Sequence, residues 1–102
     1  MALSGKVVVV TGAARGMGEQ YVRAFLNEGC KVVALDLSWQ GVEEFTQELN
    51  SYEESITLSC DISKEADIDA VFREAIKRFS TVDVLINNAS IRMRDIEPST
   101  VI

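Results

Sequence analysis

Short apolar runs alternate with segments of helical period along this chain, and no other feature narrows its fold as much. Lys6–Thr11 is a continuous valine-rich run, too short for a helix, of the kind that forms a strand buried on both faces. From Met17 to Glu28 the pattern turns helical. Tyr21, Val22, Phe25 and Leu26 share one face, and Gly29 stands where a helix ends in glycine. Lys31–Asp36 reads as a second buried strand, Gly41–Asn50 as a weaker helix with Val42, Phe45 and Leu49 on one side, and Ser55–Asp61 as a third strand. Ser63 is expected to cap the next helix, with Glu65 and Asp67 near its positive end. That helix carries Ile68, Val71, Phe72, Ala75, Ile76 and Phe79 on one stripe. Val82–Asn87 is a fourth strand, and from Ala89 to Ile102 no period is clear.

Four strands alternating with three helices, joined by short connections, predict right-handed βαβ units and a parallel sheet covered by helices. The 102 residues have room for one small domain, and 47% hydrophobic with 25% charged residues is a globular balance. A net charge of −6 supplies no basic surface for nucleic acid. No apolar run approaches the ~20 residues of a membrane span. The start, MALSGKVVVV, lacks the apolar core and cleavage site of a signal peptide, so a cytoplasmic protein is expected. Cys30 and Cys60 form no C-x-x-C pair and are expected to be buried thiols. The absence of histidine removes the Ser-His-Asp triad and most zinc sites, and no metal site is expected.

Where the first strand meets the first helix the sequence is Thr11-Gly12-Ala13-Ala14-Arg15-Gly16-Met17-Gly18. The first N–H groups of a helix lack partners and carry partial positive charge, so an anion is the natural ligand of such a turn. Glycines there allow a tight turn, a close approach of backbone to phosphate and close packing of helix on sheet. The spacing G-x-x-x-G-x-G is neither the general dinucleotide fingerprint nor a Walker A loop, which would need Gly-Lys-Ser/Thr where Met17-Gly18-Glu19 stands. Asp36 ends the second strand, 24 residues after Gly12, where a carboxylate can accept from both ribose hydroxyls of an adenosine. It would repel a 2′-phosphate, favouring NAD over NADP. Arg15 pulls the other way, as a basic residue whose cation could pair with that phosphate. Asp61-Ile62 and Asn87-Asn88-Ala89 close the third and fourth strands, so the four carboxyl ends carry glycines, an acid, an acid and amides on the rim where doubly wound sheets bind ligands.

With these motifs in this order the chain resembles the short-chain dehydrogenase/reductase family. Thr11–Gly18 fits the family's T-G-x-x-x-G-x-G turn, Asp36 its NAD-marking acid, Asp61 with Ile62 its adenine-contacting pair, and Asn87-Asn88-Ala89-Ser90 its N-N-A-G motif. Ser90 stands where the family has glycine. The resemblance implies a Rossmann-like doubly wound sheet in order 3-2-1-4, with the first two helices on one face and the third on the other. It implies a cofactor site of Gly12, Arg15, Gly16, Met17, Gly18, Asp36, Asp61, Ile62, Asn88 and Ala89, and NAD in preference to NADP as the cofactor.

The family's chemistry uses a serine and a Y-x-x-x-K pair. Here the tyrosines are Tyr21 and Tyr52, and Phe25 and Ile56 stand four residues on. No residue of the chain is assigned a catalytic role, and residues 1–102 are expected to be a single partial NAD(P)-binding domain, an N-terminal portion of the family's fold. The fourth strand would then present an uncovered edge, a surface for self-association. Two other functions fit parts of the pattern. One is a non-catalytic nucleotide-binding or association module. The other is an S-adenosylmethionine-dependent methyltransferase-like domain, against which the glycine spacing and Asn87-Asn88-Ala89 stand.

Overall fold

The structure is a computed structural model and describes residues 3–89. Its elements run β1 (Val7–Val10), α1 (Gly16–Asn27), β2 (Lys31–Asp36), α2 (Glu43–Asn50), β3 (Ser55–Ser59), α3 (Glu65–Phe79) and β4 (Val84–Ile86). The expected elements are all present in the expected order, with ends displaced by one or two residues. The sheet order is β3-β2-β1-β4, and every pairing is parallel.

The register explains the unbroken run of valines in β1. Val8 lies opposite both Val32 of β2 and Val84 of β4, so β1 is interior within the sheet. Both its faces are also covered. Val8, Val10, Val32 and Ala34 pack with Val22 of α1 and with Phe45 and Leu49 of α2. Val7, Val9, Val33 and Leu35 pack with Val71, Ala75 and Phe79 of α3. The first two helices thus lie on one face and the third on the other. Tyr21 and Phe25 lean on the first of these cores, so Tyr21 is a packing residue. Arg23 ties α1 to α2, bonding Glu19 at 3.1 Å and also Glu48, with its guanidinium 4.8 Å from the Phe45 ring centre. Both cysteines are buried free thiols. Burial pushes both up from the usual thiol range, helped at Cys30 by Glu28 and at Cys60 by Asp67 and Asp61.

Two local expectations are corrected. Ser63 does not cap α3: the residue preceding the helix is Lys64, and α3 begins without a side-chain cap among the described residues. A stronger acceptor lies just upstream. The Asp61 carboxylate takes the Ser63 backbone N–H at 3.0 Å and the Ser63 hydroxyl at 2.6 Å, and the Lys64 N–H goes to the Asp61 carbonyl. An ionised carboxylate makes the stronger hydrogen bonds, so it folds the serine back into a turn of its own. The second correction concerns the apolar stripe of α3, which is wider than the surface it covers. Ile76 remains 48% exposed, on a helix whose buried side chains are Val71, Ala75 and Phe79.

Candidate cofactor site at the carboxyl rim of the sheet

The turn after β1 is built by backbone bonds to both neighbouring strands. Ala13 N–H donates to the Leu35 carbonyl at 2.8 Å, Ala14 N–H to Asp36 Oδ2 at 2.9 Å and Thr11 N–H to the Ile86 carbonyl at 3.0 Å. The two alanines are fully buried beneath the turn. Its three glycines have different duties. Gly12, at φ +63°, lies against the β4 rim: a Cβ there would come 3.1 Å from both Ala89 Cα and Asn88 Nδ2. Gly16, at φ +62°, opens onto empty space, with nothing within 4 Å of a Cβ. Gly18 is where α1 crosses the turn, and a Cβ there would overlap the Gly12 carbonyl oxygen and stand 2.9 Å from Ala13 Cα. Arg15 precedes α1 in extended conformation, and its side chain makes no capping bond to the helix. The first N–H groups of α1 thus receive no cap from Arg15, and uncapped N–H groups at a helix start are suited to an anion.

Thr11 joins the turn to the end of β4. Its hydroxyl oxygen accepts from Asn88 N–H at 2.9 Å and Ala89 N–H at 3.0 Å, and its proton reaches Asn87 Oδ1 at 3.2 Å. Asn88 Nδ2 donates to the Gly12 carbonyl at 3.2 Å. The Thr11 side chain is thus saturated, and its residue is 5% exposed.

Asp36 is held by the glycine turn and by the loop that follows β2. Beside its bond from Ala14, Oδ1 takes the Ser38 N–H at 3.3 Å and lies 3.9 Å from Arg15 Nη1. Arg15 itself donates to the Ser38 carbonyl at 3.4 Å and the Gln40 carbonyl at 2.9 Å. At the next strand end, the two bonds from Ser63 hold the Asp61 carboxyl below the usual carboxylate range. Asp61 N–H donates to Asp67 Oδ2 at 3.0 Å, which fixes this strand end to α3.

These strand ends enclose one cavity of about 450 Å³. Of the residues expected at the site, Gly12, Arg15, Asp36, Asp61, Ile62, Asn88 and Ala89 line it. Gly16, Met17 and Gly18 are not among its walls; they begin α1. Leu35, Leu37, Cys60 and Ser63, which belong to none of the sequence motifs as site residues, complete the lining. Leu37 carried a readable signal, an aliphatic side chain directly after the strand-ending acid, and it is 69% exposed.

A family model described as "short chain dehydrogenase" matches residues 6–101. The chain belongs to the short-chain dehydrogenase/reductase family. Among curated members of the short-chain dehydrogenase/reductase family it is 41% identical over 98 residues to fluoren-9-ol dehydrogenase of a Terrabacter species, covering 96% of this chain and 28% of the relative. It is 41% identical over 86 residues to rabbit (Oryctolagus cuniculus) L-fucose dehydrogenase, covering 84% of this chain and 29% of the relative. Among solved structures, the 3-ketoacyl-(acyl-carrier-protein) reductase of Brucella melitensis complexed with NADH superposes with a TM-score of 0.78 at 38% identity, over 95% of this chain and 41% of that one. A family member from Burkholderia phymatum in complex with NAD gives 0.75 at 28% identity, over 83% and 31%. This chain therefore spans under a third of the length of the two curated relatives.

Proposed function

We propose that this chain is the NAD-binding portion of a short-chain dehydrogenase whose parent reaction moves a hydride between NAD and an alcohol or carbonyl substrate. The carrying observation is the convergence of the four strand ends on one cavity, with Gly12 of the glycine turn and the Asp36 carboxylate in its wall. In this reading Gly12, Gly16, Met17 and Gly18 hold the pyrophosphate on backbone N–H groups. Asp36 accepts from the ribose, Asp61 and Ile62 meet the adenine, and Asn88 and Ala89 line the side toward the second ribose. Arg15 stands at the mouth of the cavity beside Asp36. No neighbouring atom comes within 4 Å of a Cβ at Gly16, which leaves that space open to an anion. The bound dinucleotide supplies the hydride acceptor, and the residues of this chain bind and orient it.

Two observations favour NAD over NADP. A carboxylate has room for about four hydrogen bonds, so Asp36 can accept from ribose hydroxyls while keeping its bond from Ala14. That same bond, at 2.9 Å, stops the carboxylate from swinging aside to admit a 2′-phosphate. The similar structures solved with NADH and NAD add support.

Without a Tyr-x-x-x-Lys pair the 102-residue chain is expected to turn over no alcohol or carbonyl substrate. It is expected to bind the cofactor: on titration with NAD followed by NMR, the amide signals of Gly12–Gly18 and Asp36 move together, and NADP moves them less. Unchanged signals at millimolar NAD would refute the binding, and measurable dehydrogenase turnover would refute the absence of a proton-transfer residue. β4 pairs only with β1 among the described residues, and Leu85 on it is 49% exposed. Self-association along this edge is part of the proposal.

A further inference from the structure

Arg15 sits in the phosphate turn, but its hydrogen bonds point elsewhere. Its donors reach the Ser38 carbonyl at 3.4 Å and the Gln40 carbonyl at 2.9 Å, and Nη1 stands 3.9 Å from Asp36 Oδ1. All these acceptors belong to the end of β2 and the loop between β2 and α2. That loop carries Leu37, an exposed apolar wall of the cavity. Its other anchor is Trp39, whose indole N–H donates to the Leu58 carbonyl at 2.9 Å and whose ring centre is 6.3 Å from that of Phe45. The loop therefore hangs from two side chains, Trp39 on the β3 side and Arg15 on the turn side.

We propose that Arg15 is a positioning residue, which holds the loop that walls the adenosine side of the cavity, and that it is not a ligand of the cofactor's phosphates. The proposal rests on the cofactor reading given above. A guanidinium is a planar fork that can serve two carbonyls and a carboxylate at once, whereas an ammonium is a single point charge on a flexible stem. Losing the fork leaves the loop ordered for only part of the time. Affinity then falls in proportion to that fraction, for every ligand that uses the wall.

The test compares Arg15→Lys and Arg15→Gln with the unaltered chain, using adenosine, 5′-AMP and NAD as probes in NMR titrations. Both variants are expected to weaken all three ligands alike, by about three- to tenfold, the range of one or two lost hydrogen bonds. Lysine is expected to give no rescue. Hydrogen exchange at the Trp39 indole N–H, measured without ligand, is expected to quicken in both variants. A loss confined to 5′-AMP and NAD, restored by lysine, would make Arg15 a phosphate ligand and overturn the proposal. Unchanged Trp39 exchange in both variants would overturn it as well. If the unaltered chain binds none of the probes, the cofactor reading fails, and the Trp39 exchange alone decides whether Arg15 holds the loop.

Discussion

Gly16 and Gly18 are two residues apart, and the structure separates what each contributes. Gly18 has no room for a Cβ because the Gly12 carbonyl is there, and a backbone carbonyl cannot be moved aside cheaply. Gly18→Ala is expected to destabilise the fold by about 3 kcal/mol, the upper range of overpacking, and to abolish NAD binding with it. Gly16→Ala meets open space and bears only the left-handed backbone cost of about 1–2 kcal/mol. It should still lose most NAD affinity, because its methyl projects where the anion belongs. Urea unfolding alongside NAD titration checks both, and a Gly16→Ala variant that keeps full NAD affinity would contradict the placement of the pyrophosphate. Asp61 gives a pH prediction. Its folded carboxyl is lowered by the Ser63 hydroxyl and then the Ser63 N–H, so it adds stability above the ordinary aspartate value of about 3.9. That stability disappears as pH falls below 3.9 and through the lowered value. Asp61→Asn should flatten the acid limb of a pH–stability curve there, while leaving the neutral region nearly unchanged in slope. Which residues would carry the rim was largely readable, because glycine spacing and strand-ending acids are local signals. Their partners were not. Arg15 and Asp36 looked like opposed determinants of cofactor choice, and only the β1–β2 register shows them drawn together with Ser38 and Gln40.

At the scale of elements, periodicity placed each strand and helix but not its ends. The outer residues of the β1 and β3 segments, Thr11 and Asp61, lie beyond the paired strands: the Thr11 hydroxyl serves the end of β4, and the Asp61 N–H goes to Asp67 of α3. Those partners are remote in sequence for Thr11 and depend on the position of α3 for Asp61. Ser63 shows the same effect over a short distance, since its hydroxyl donates to the nearby Asp61 carboxylate and does not accept from an N–H of α3. The stripe of α3 was legible as apolar, yet periodicity cannot say how much of it finds a partner. Ile76 is left half exposed, as is Leu85 on β4. Leu85 lies opposite Val9, which faces the α3 side of the sheet, so Leu85 faces that side too.

For the molecule as a whole, the proposed association rests on a half-exposed leucine on a strand with one neighbour among the described residues. Leu85→Lys should shift sedimentation toward a single species whose size does not vary with concentration. Its effect on unfolding free energy should stay within about 0.5 kcal/mol, as for a surface substitution. An unaltered chain that is monomeric at all concentrations would remove the edge as an interaction surface. The hydroxyl of Thr11 has a consequence of another kind, one of timing. Its partners Asn88 and Ala89 lie 77 and 78 residues further along the chain. At about 5–20 residues per second of synthesis, roughly 4–15 s separate the emergence of the glycine turn from that of the groups which fix it to β4. For most of that interval β2 is the one strand β1 has to pair with, and its valines present an open edge to whatever else the ribosome exit region holds.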